Sequence, residues 1–572
     1  MSEKKLRKRP RQRKITAIKE KQSAIQLPVV GTVIKAVAEI SSIPTGAKQR
    51  FTQPVNAQRR ELRKLLRRAQ NTAFGKKYHF GLILRSRDMV EAYRRLVPVF
   101  DYNKMHDEWW YRNLKGERDV AWPGKIRFFA LSSGTSGAAS KFIPVTRAML
   151  NHITKAGTKQ FFSASQYNFP TRFYDAGVLC IAGSTDLQYF SDGGYYAGDL
   201  SGITAGRIPK WFEFFYKPGE EISKLKDWNE KLDAMVKAAP KWDIGVLVGV
   251  PAWVQILLER IVKEYNLKNI HEMWPNLMVY VHSGVAFAPY EKSFERLFGK
   301  EVLFVESYLA SEGYIAYQVD LKRRKMQLLV DNGIYYEFVP FDEENFDEEG
   351  NLLPKCKTLT LAEVEENRDY AILLTTCAGA WRYLIGDTVR FSNVKNCDMA
   401  VTGRTKHFLS LTGEHLSQDN MNRAVEIMAE EMGVDICEFT VAGTRHDTMF
   451  AHHWYLGTDD PLDAEKALER IDKALCELND DYRVERMEAI RHLDIDVLPT
   501  HIFYDFMKER LGKVGGASKF PRVLKGERYE AWKEFLGKLK IENWLARSKY
   551  SNKQAIKQIF NCYSLILKYE PN

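Results

Sequence analysis

The sequence predicts an α/β protein: a large N-terminal domain of β-sheets flanked by helices, then a smaller C-terminal α/β domain. Three observations carry this reading. At 572 residues the chain is too long for one compact core and divides naturally into two large domains. Short apolar runs of strand length alternate with amphipathic stretches at helical spacing through the first two thirds. A second, shorter series of strands and helices occupies the rest.

Taken in order, residues 1–50 are a basic tail and a short apolar segment. Residues 1–22 hold ten Lys/Arg and two Glu, a balance of +8 within a net +12 for the chain. Such a tail is either a solvated arm or a contact for an anionic membrane or RNA. The run Leu27–Ile40 contains Lys35 and Glu39 and falls short of the ~20 apolar residues of a bilayer span. It reads as a helix packed on the body, with an interfacial membrane helix as the alternative.

Residues 51–395 are the expected large domain. Within it, 56–74 is a basic amphipathic helix that turns Leu62, Leu65, Leu66 and Ala69 to one side. Residues 251–265 form another helix, opened by Pro251, whose missing N–H costs nothing in a first turn. Its inward face is Val254, Leu257, Leu258 and Ile261. Strands are expected at 177–182, 245–248, 277–281 and 302–306, and an exposed acidic turn at 341–351. Residues 396–572 are the smaller domain. There Asp419 is expected to cap a helix that ends at Met432 before Gly433, followed by strands at 437–442 and 452–456 and a helix over 462–478.

Hydrophobic residues make up 45% and charged residues 28%, the proportions of a soluble globular protein. The seven cysteines are scattered, odd in number and without a CxxC pair. This argues against a disulfide framework or zinc cluster and fits a reducing cytoplasm. Because the basic excess is gathered at the N-terminus rather than spread over a surface, no specific nucleic-acid partner is expected.

Four clusters carry chemistry. An apolar approach, Phe129-Ala130-Leu131, runs into Ser132-Ser133-Gly134-Thr135-Ser136-Gly137, with Lys141 beyond it. Glycines admit backbone N–H groups close to a polyphosphate and the hydroxyls add donors, although an ordinary Ser/Gly turn has the same composition. The Gly-Lys-Ser/Thr ending of a P-loop is missing. Next, Glu306 to Gly313 follows an apolar strand, and a carboxylate at a strand's carboxyl end suits a metal-bound phosphate. Third, Asp387 after Gly386 is an acceptor for ribose hydroxyls. Fourth, Gly403-Arg404-Thr405-Lys406 offers cations to anionic oxygens.

In order and spacing these clusters resemble the Gretchen Hagen family of acyl-acid amido synthetases, which belong to the adenylate-forming enzymes with acyl-CoA synthetases and luciferase. The resemblance runs from about Gln58 to about Leu524. Phe74-Gly75-Lys76-Lys77-Tyr78 is similar to the family's FGxxY, residues 132–137 match SSGTSG, and Lys141-Phe142-Ile143-Pro144 matches KxIP. Tyr308-Leu309-Ala310-Ser311-Glu312 is similar to YxSSE, with Ala310 for the first serine. Tyr383-Leu384-Ile385-Gly386-Asp387 is similar to YRxGD, with Leu384 for the arginine.

The resemblance implies roles. Ser133, Gly134, Thr135, Ser136 and Lys141 would cradle ATP phosphates, and Ser283, Gly284 and Val285 would lie against adenine. Tyr308, Ser311, Asp387 and Arg404 would contact the nucleotide, with Asp387 on the ribose, and Glu312 would coordinate Mg²⁺. Lys519, in a segment ending at Arg522, would be the lysine of a mobile C-terminal domain. The implied enzyme is an ATP-dependent ligase that adenylates a carboxylic acid and passes the acyl group to an amine, that of an amino acid, as a cytoplasmic monomer. An acyl-CoA or acyl-carrier ligase shares the first step, and an inactive membrane- or RNA-associated adaptor is the alternative of another class. Aromatics at 161–169 and 211–216 are either core or the wall of an acyl pocket, and His282 is either structural or a base toward the amine.

Overall fold

The protein is represented by a computed structural model. It describes residues 53–547 apart from 133–140, 164–166, 168, 209, 285–286, 320–324, 348–349, 406–415, 417, 447–448, 480–481, 484–485, 487–489 and 512–519.

Helix α1 (Pro54–Ala69) opens the described chain, and its 3.6-residue periodicity divides it lengthwise. Leu62, Leu65, Leu66 and Ala69 are buried, as expected, and full burial of a leucine contributes roughly 1.5–3 kcal/mol. Gln58, also buried, pins the helix by donating to the Val330 and Ile334 carbonyls and accepting from the Tyr336 N–H. Phe74 and Tyr78 of the FGxxY segment belong to this core. Phe74 packs on Trp109, Trp381 and Tyr78, so that segment builds structure rather than chemistry. Helix α2 (Met89–Leu96) follows.

Strands β1 (Phe128–Ser132), β2 (Lys141–Val145), β4 (Gln188–Phe190) and β5 (Tyr195–Gly198) make a small sheet ordered β2-β1-β5-β4, with helix α3 (Arg147–Ser163) after β2. An eleven-stranded sheet is the frame of the body among the described residues. Its parallel half contains β3 (Gly177–Cys180), β6 (Tyr216–Lys217), β7 (Ile244–Gly249), β8 (Val279–Ser283) and β9 (Leu303–Ala310). Its antiparallel half contains β10 (Gly313–Gln318), β11 (Met326–Leu328), β12 (Ile334–Pro340), β13 (Asp369–Thr376), β14 (Tyr383–Asn393) and β15 (Asp398–Arg404). The order is β12-β13-β14-β15-β11-β10-β9-β8-β7-β3-β6. The four expected strands are all present, and strand pairing carries the sheet beyond residue 395 to Arg404.

Helix α4 (Pro251–Tyr265) has the expected bounds, with Pro251 in its first turn and Asn266 in the left-handed conformation at its end. Val254, Leu257, Leu258 and Ile261 are fully buried. Helix α5 (Ala288–Leu297) follows β8 and packs against α4. The acidic segment 341–351 is anchored rather than free, because Phe346 is buried and packs on Phe341.

The last third is a sheet ordered β18-β17-β16-β19. It comprises β16 (Glu438–His446), β17 (Met449–Gly457), β18 (Ile490–Leu498) and β19 (Val523–Leu524). Its helices are α6 (Gln418–Met432), α7 (Ala464–Leu478), α8 (His501–Leu511) and α9 (Glu527–Arg547). Helix α6 starts at Gln418, one residue ahead of the expected cap, so Asp419 lies inside its first turn; Gly433 follows its end with φ +68°. Asp463, by contrast, does cap α7, accepting from the Lys466 N–H.

Candidate active site

The parallel strands β7, β8 and β9 run in register, Val246 beside Val279 and Val279 beside Leu303, so their carboxyl ends finish together. Open α/β sheets bind ligands at such an edge. Here it carries Ser283 and Gly284 from β8, and the β9–β10 hairpin supplies Ser311 and Glu312 where the sheet changes from parallel to antiparallel. Gly284 leaves β8 at φ +94°, a conformation that a Cβ would strain.

Five expected residues meet at this junction. Asp387 and Arg404 are direct cross-strand neighbours on β14 and β15, and the Arg404 Nε lies 2.9 Å from Asp387 Oδ1. Gly386, at φ +88°, allows the turn of backbone before Asp387, and its carbonyl accepts from the Thr405 N–H. Tyr308 donates its hydroxyl to the other oxygen, Asp387 Oδ2, at 2.5 Å. Glu312 is buried, and burial first, then the charge of Asp387, pushes its carboxyl up to about 7 against the opposing pull of Lys141 and Arg404. Lys141 begins β2, with its ammonium 5.2 Å from the Tyr102 ring.

Tyr383 is quoted in the expected motif without a role, and the fold brings it close enough to Glu312 that burial first, then the charge of that carboxyl, pushes the Tyr383 hydroxyl well above its ordinary pKa. Nothing in the local spacing pairs these two residues; only the packing of β14 against the hairpin does. Ser133, Gly134, Thr135, Ser136, Val285 and Lys519 lie outside the described residues. Arg522, which ends the segment of Lys519, is described. It is buried against Glu438 at 2.6 Å and lies over the Phe439 ring at 4.4 Å. Glu438 in turn accepts from the Tyr290 hydroxyl of α5 at 2.9 Å, which ties the last third to the body. Of the aromatics expected at 161–169, Tyr167 and Phe169 stack on one another and Phe169 packs on Phe173 against the sheet; Phe214 is exposed.

His282 is a structural residue rather than a base. It is buried at the end of β8, stacks on Phe287 at 4.3 Å, and its Nδ1 has no partner among the described residues. Burial pushes its pKa down to about 3. The unfolded chain protonates this histidine near its ordinary 6.5, so between those values only the unfolded state binds the proton and stability falls as pH falls. From pH 7 to pH 5 the loss is about 2 kcal/mol. Urea unfolding at both pH values is expected to show a difference smaller by that amount in His282→Phe; equal differences in variant and parent would refute the assignment.

Residues 47–186 and 190–303 match the GH3 family N-terminal domain, 327–402 the GH3 family central domain and 419–528 the GH3 family C-terminal domain. The chain is 27% identical over 259 residues to the indole-3-acetic acid-amido synthetase GH3.4 of Arabidopsis thaliana, a match of 42% of each chain. It thus spans less than half the length of that curated relative. Its fold is that of the GH3.15 acyl acid amido synthetase, with a TM-score of 0.70 at 17% identity over 88% of this chain and 96% of the other. A 2-hydroxyisobutyryl-CoA ligase in the postadenylation state with 2-HIB-AMP superposes with a TM-score of 0.50 at 14% identity, over 84% and 90%.

Proposed function

The chain belongs to the GH3 family, and from that premise we propose that it is an ATP-dependent ligase that adenylates a carboxylic acid and transfers the acyl group to the amine of an amino acid. The observation that supports this most is the convergence of Glu312, Asp387, Tyr308, Arg404 and Lys141 at the carboxyl edge of the parallel strands. A carboxylate oxygen of the acid bonds to the α-phosphorus of ATP and pyrophosphate leaves. The amine nitrogen then bonds to the acyl carbon, AMP departs with the C–O bonding pair, and the nitrogen gives up a proton.

In this reading Asp387 and Tyr308 hold the ribose, Ser283 and Gly284 back the adenine, and Ser311 belongs to the same nucleotide edge. Lys141, with Ser133, Gly134, Thr135 and Ser136, neutralises and orients the phosphates. The donor set suits Mg²⁺: a buried carboxylate with a second carboxylate beside it gains from a nearby cation, and Glu312 would hold the ion. Bound Mg²⁺ supplies charge neutralisation on the phosphates. The part after Arg404 is the mobile domain that brings Lys519 to the adenylation step, and the Tyr290–Glu438 contact is one it must release to swing. The six described cysteines are all free, which supports a reducing compartment such as the cytoplasm.

A panel of carboxylic acids assayed for AMP release, with amino acids or coenzyme A, tests the reading. Release that needs an amino acid and yields a product with the mass of the amide is expected. Release only with coenzyme A would replace the amine by a thiol, and no acid-dependent pyrophosphate exchange across the panel would sink the enzyme reading.

A further inference from the structure

The charge of this chain is divided more sharply than its net value suggests. Residues 1–88 hold 23 Lys/Arg and five Asp/Glu, a balance of +18, which leaves the other 484 residues at −6. Part of that positive block lies in the described fold. On α1, Arg59, Arg60, Arg63, Lys64, Arg67 and Arg68 are all exposed, on the side opposite the buried leucines. At 1.5 Å per residue the six cations occupy about 14 Å of helix. The helix's one acid, Glu61, is buried and pairs with Lys64, whereas the five arginines make no ion pair with another described residue. The short helices Ala73–Lys77 and Phe80–Arg85 pack beside α1 and bring exposed Lys76, Lys77 and Arg85, together with Leu82, an aliphatic side chain that is 55% exposed.

We propose that the outer face of α1 is a docking surface for an anionic lipid bilayer. Charge complementarity identifies a polyanion, and three features select lipid over nucleic acid. Helix α1 has no aromatic side chain on which a base would stack. Leu82 offers an aliphatic contact at the rim of the patch. The apolar run Leu27–Ile40 lies in sequence between two basic blocks, and stable association with a bilayer takes an apolar anchor together with a polybasic patch. The acidic remainder of the chain then turns away from the negative surface, so α1 faces the lipid. The surface is independent of the proposed reaction, since none of its residues belongs to the candidate active site.

The test is flotation of the full-length protein with vesicles of phosphatidylcholine alone and of phosphatidylcholine with phosphatidylserine, at low and at physiological salt. Binding to the anionic vesicles only, weakened by salt, is expected. Arg63→Gln/Arg67→Gln, checked for an unchanged thermal melt, should lower the partition coefficient about fivefold per residue, roughly 25-fold in all. If the variant floats as well as the parent, α1 is not the docking face. If full-length protein ignores anionic vesicles at low salt, or binds single-stranded RNA instead, the lipid assignment is overturned.

Discussion

Arg382→Met is expected to lower the stability of the folded protein by about 3–5 kcal/mol, the cost of leaving a buried charge without its partner. Arg382 is 5% exposed and Glu337 is 1% exposed. The guanidinium grips Glu337 through Nε at 2.9 Å and Nη2 at 3.0 Å. It also donates to the carbonyls of Arg94 and Val97 at the end of α2 and to the Thr358 hydroxyl. Among the described residues, Arg94, 3.6 Å from Glu337, is the one cation left when Arg382 is removed. A lysine does not replace this fork, because it has three donors and no planar pair. The position also holds the backbone at φ +44°, rare for a residue with a Cβ, one step before Tyr383. Urea unfolding gives the measurement. Adding Glu337→Gln to Arg382→Met should recover much of the loss, and a single variant within about 1 kcal/mol of the parent would refute a buried ion pair of this kind.

Glu312→Ala is expected to slow adenylation about a hundredfold, or ~3 kcal/mol, the scale of removing one charge-stabilising group from a buried site. Pyrophosphate exchange at saturating ATP and Mg²⁺ is the readout, and a rate near the parent's would sink the assignment. Glu312→Gln separates charge from shape, since the amide keeps the size of the carboxyl and one acceptor oxygen. It should lose activity nearly as fully while unfolding no more easily, because burial and Asp387 already make an ionised Glu312 costly to the fold. Loss of activity with no loss of stability is the mark of a residue kept for chemistry.

Helix α4 shows how much was legible locally. Pro251 at its start and apolar residues at helical spacing are properties of contiguous chain, and the expected bounds and inward face agree with the fold. The strands at 177–182, 245–248, 277–281 and 302–306 were readable for the same reason, as apolar runs too short for helices. The start of α6 lies two residues ahead of where a cap at Asp419 puts it, because a cap depends on backbone geometry that an aspartate only favours.

The sequence by itself determined the α/β class, the helices and parallel strands with the strongest apolar patterns and the motif residues, because local propensity and the order of clusters are written along the chain; the antiparallel strands β10–β14 were not among them. Only the tertiary structure decided their partners. Tyr308 meets Asp387 across 79 residues, Arg382 meets Glu337 across 45, and Tyr290 meets Glu438 across 148. It likewise decided that His282 is buried beside Phe287 and that β15 pairs with β14 across the expected boundary. Such pairings depend on strand order and register, which are set by burying all the apolar faces at once, and no local window of residues contains that information.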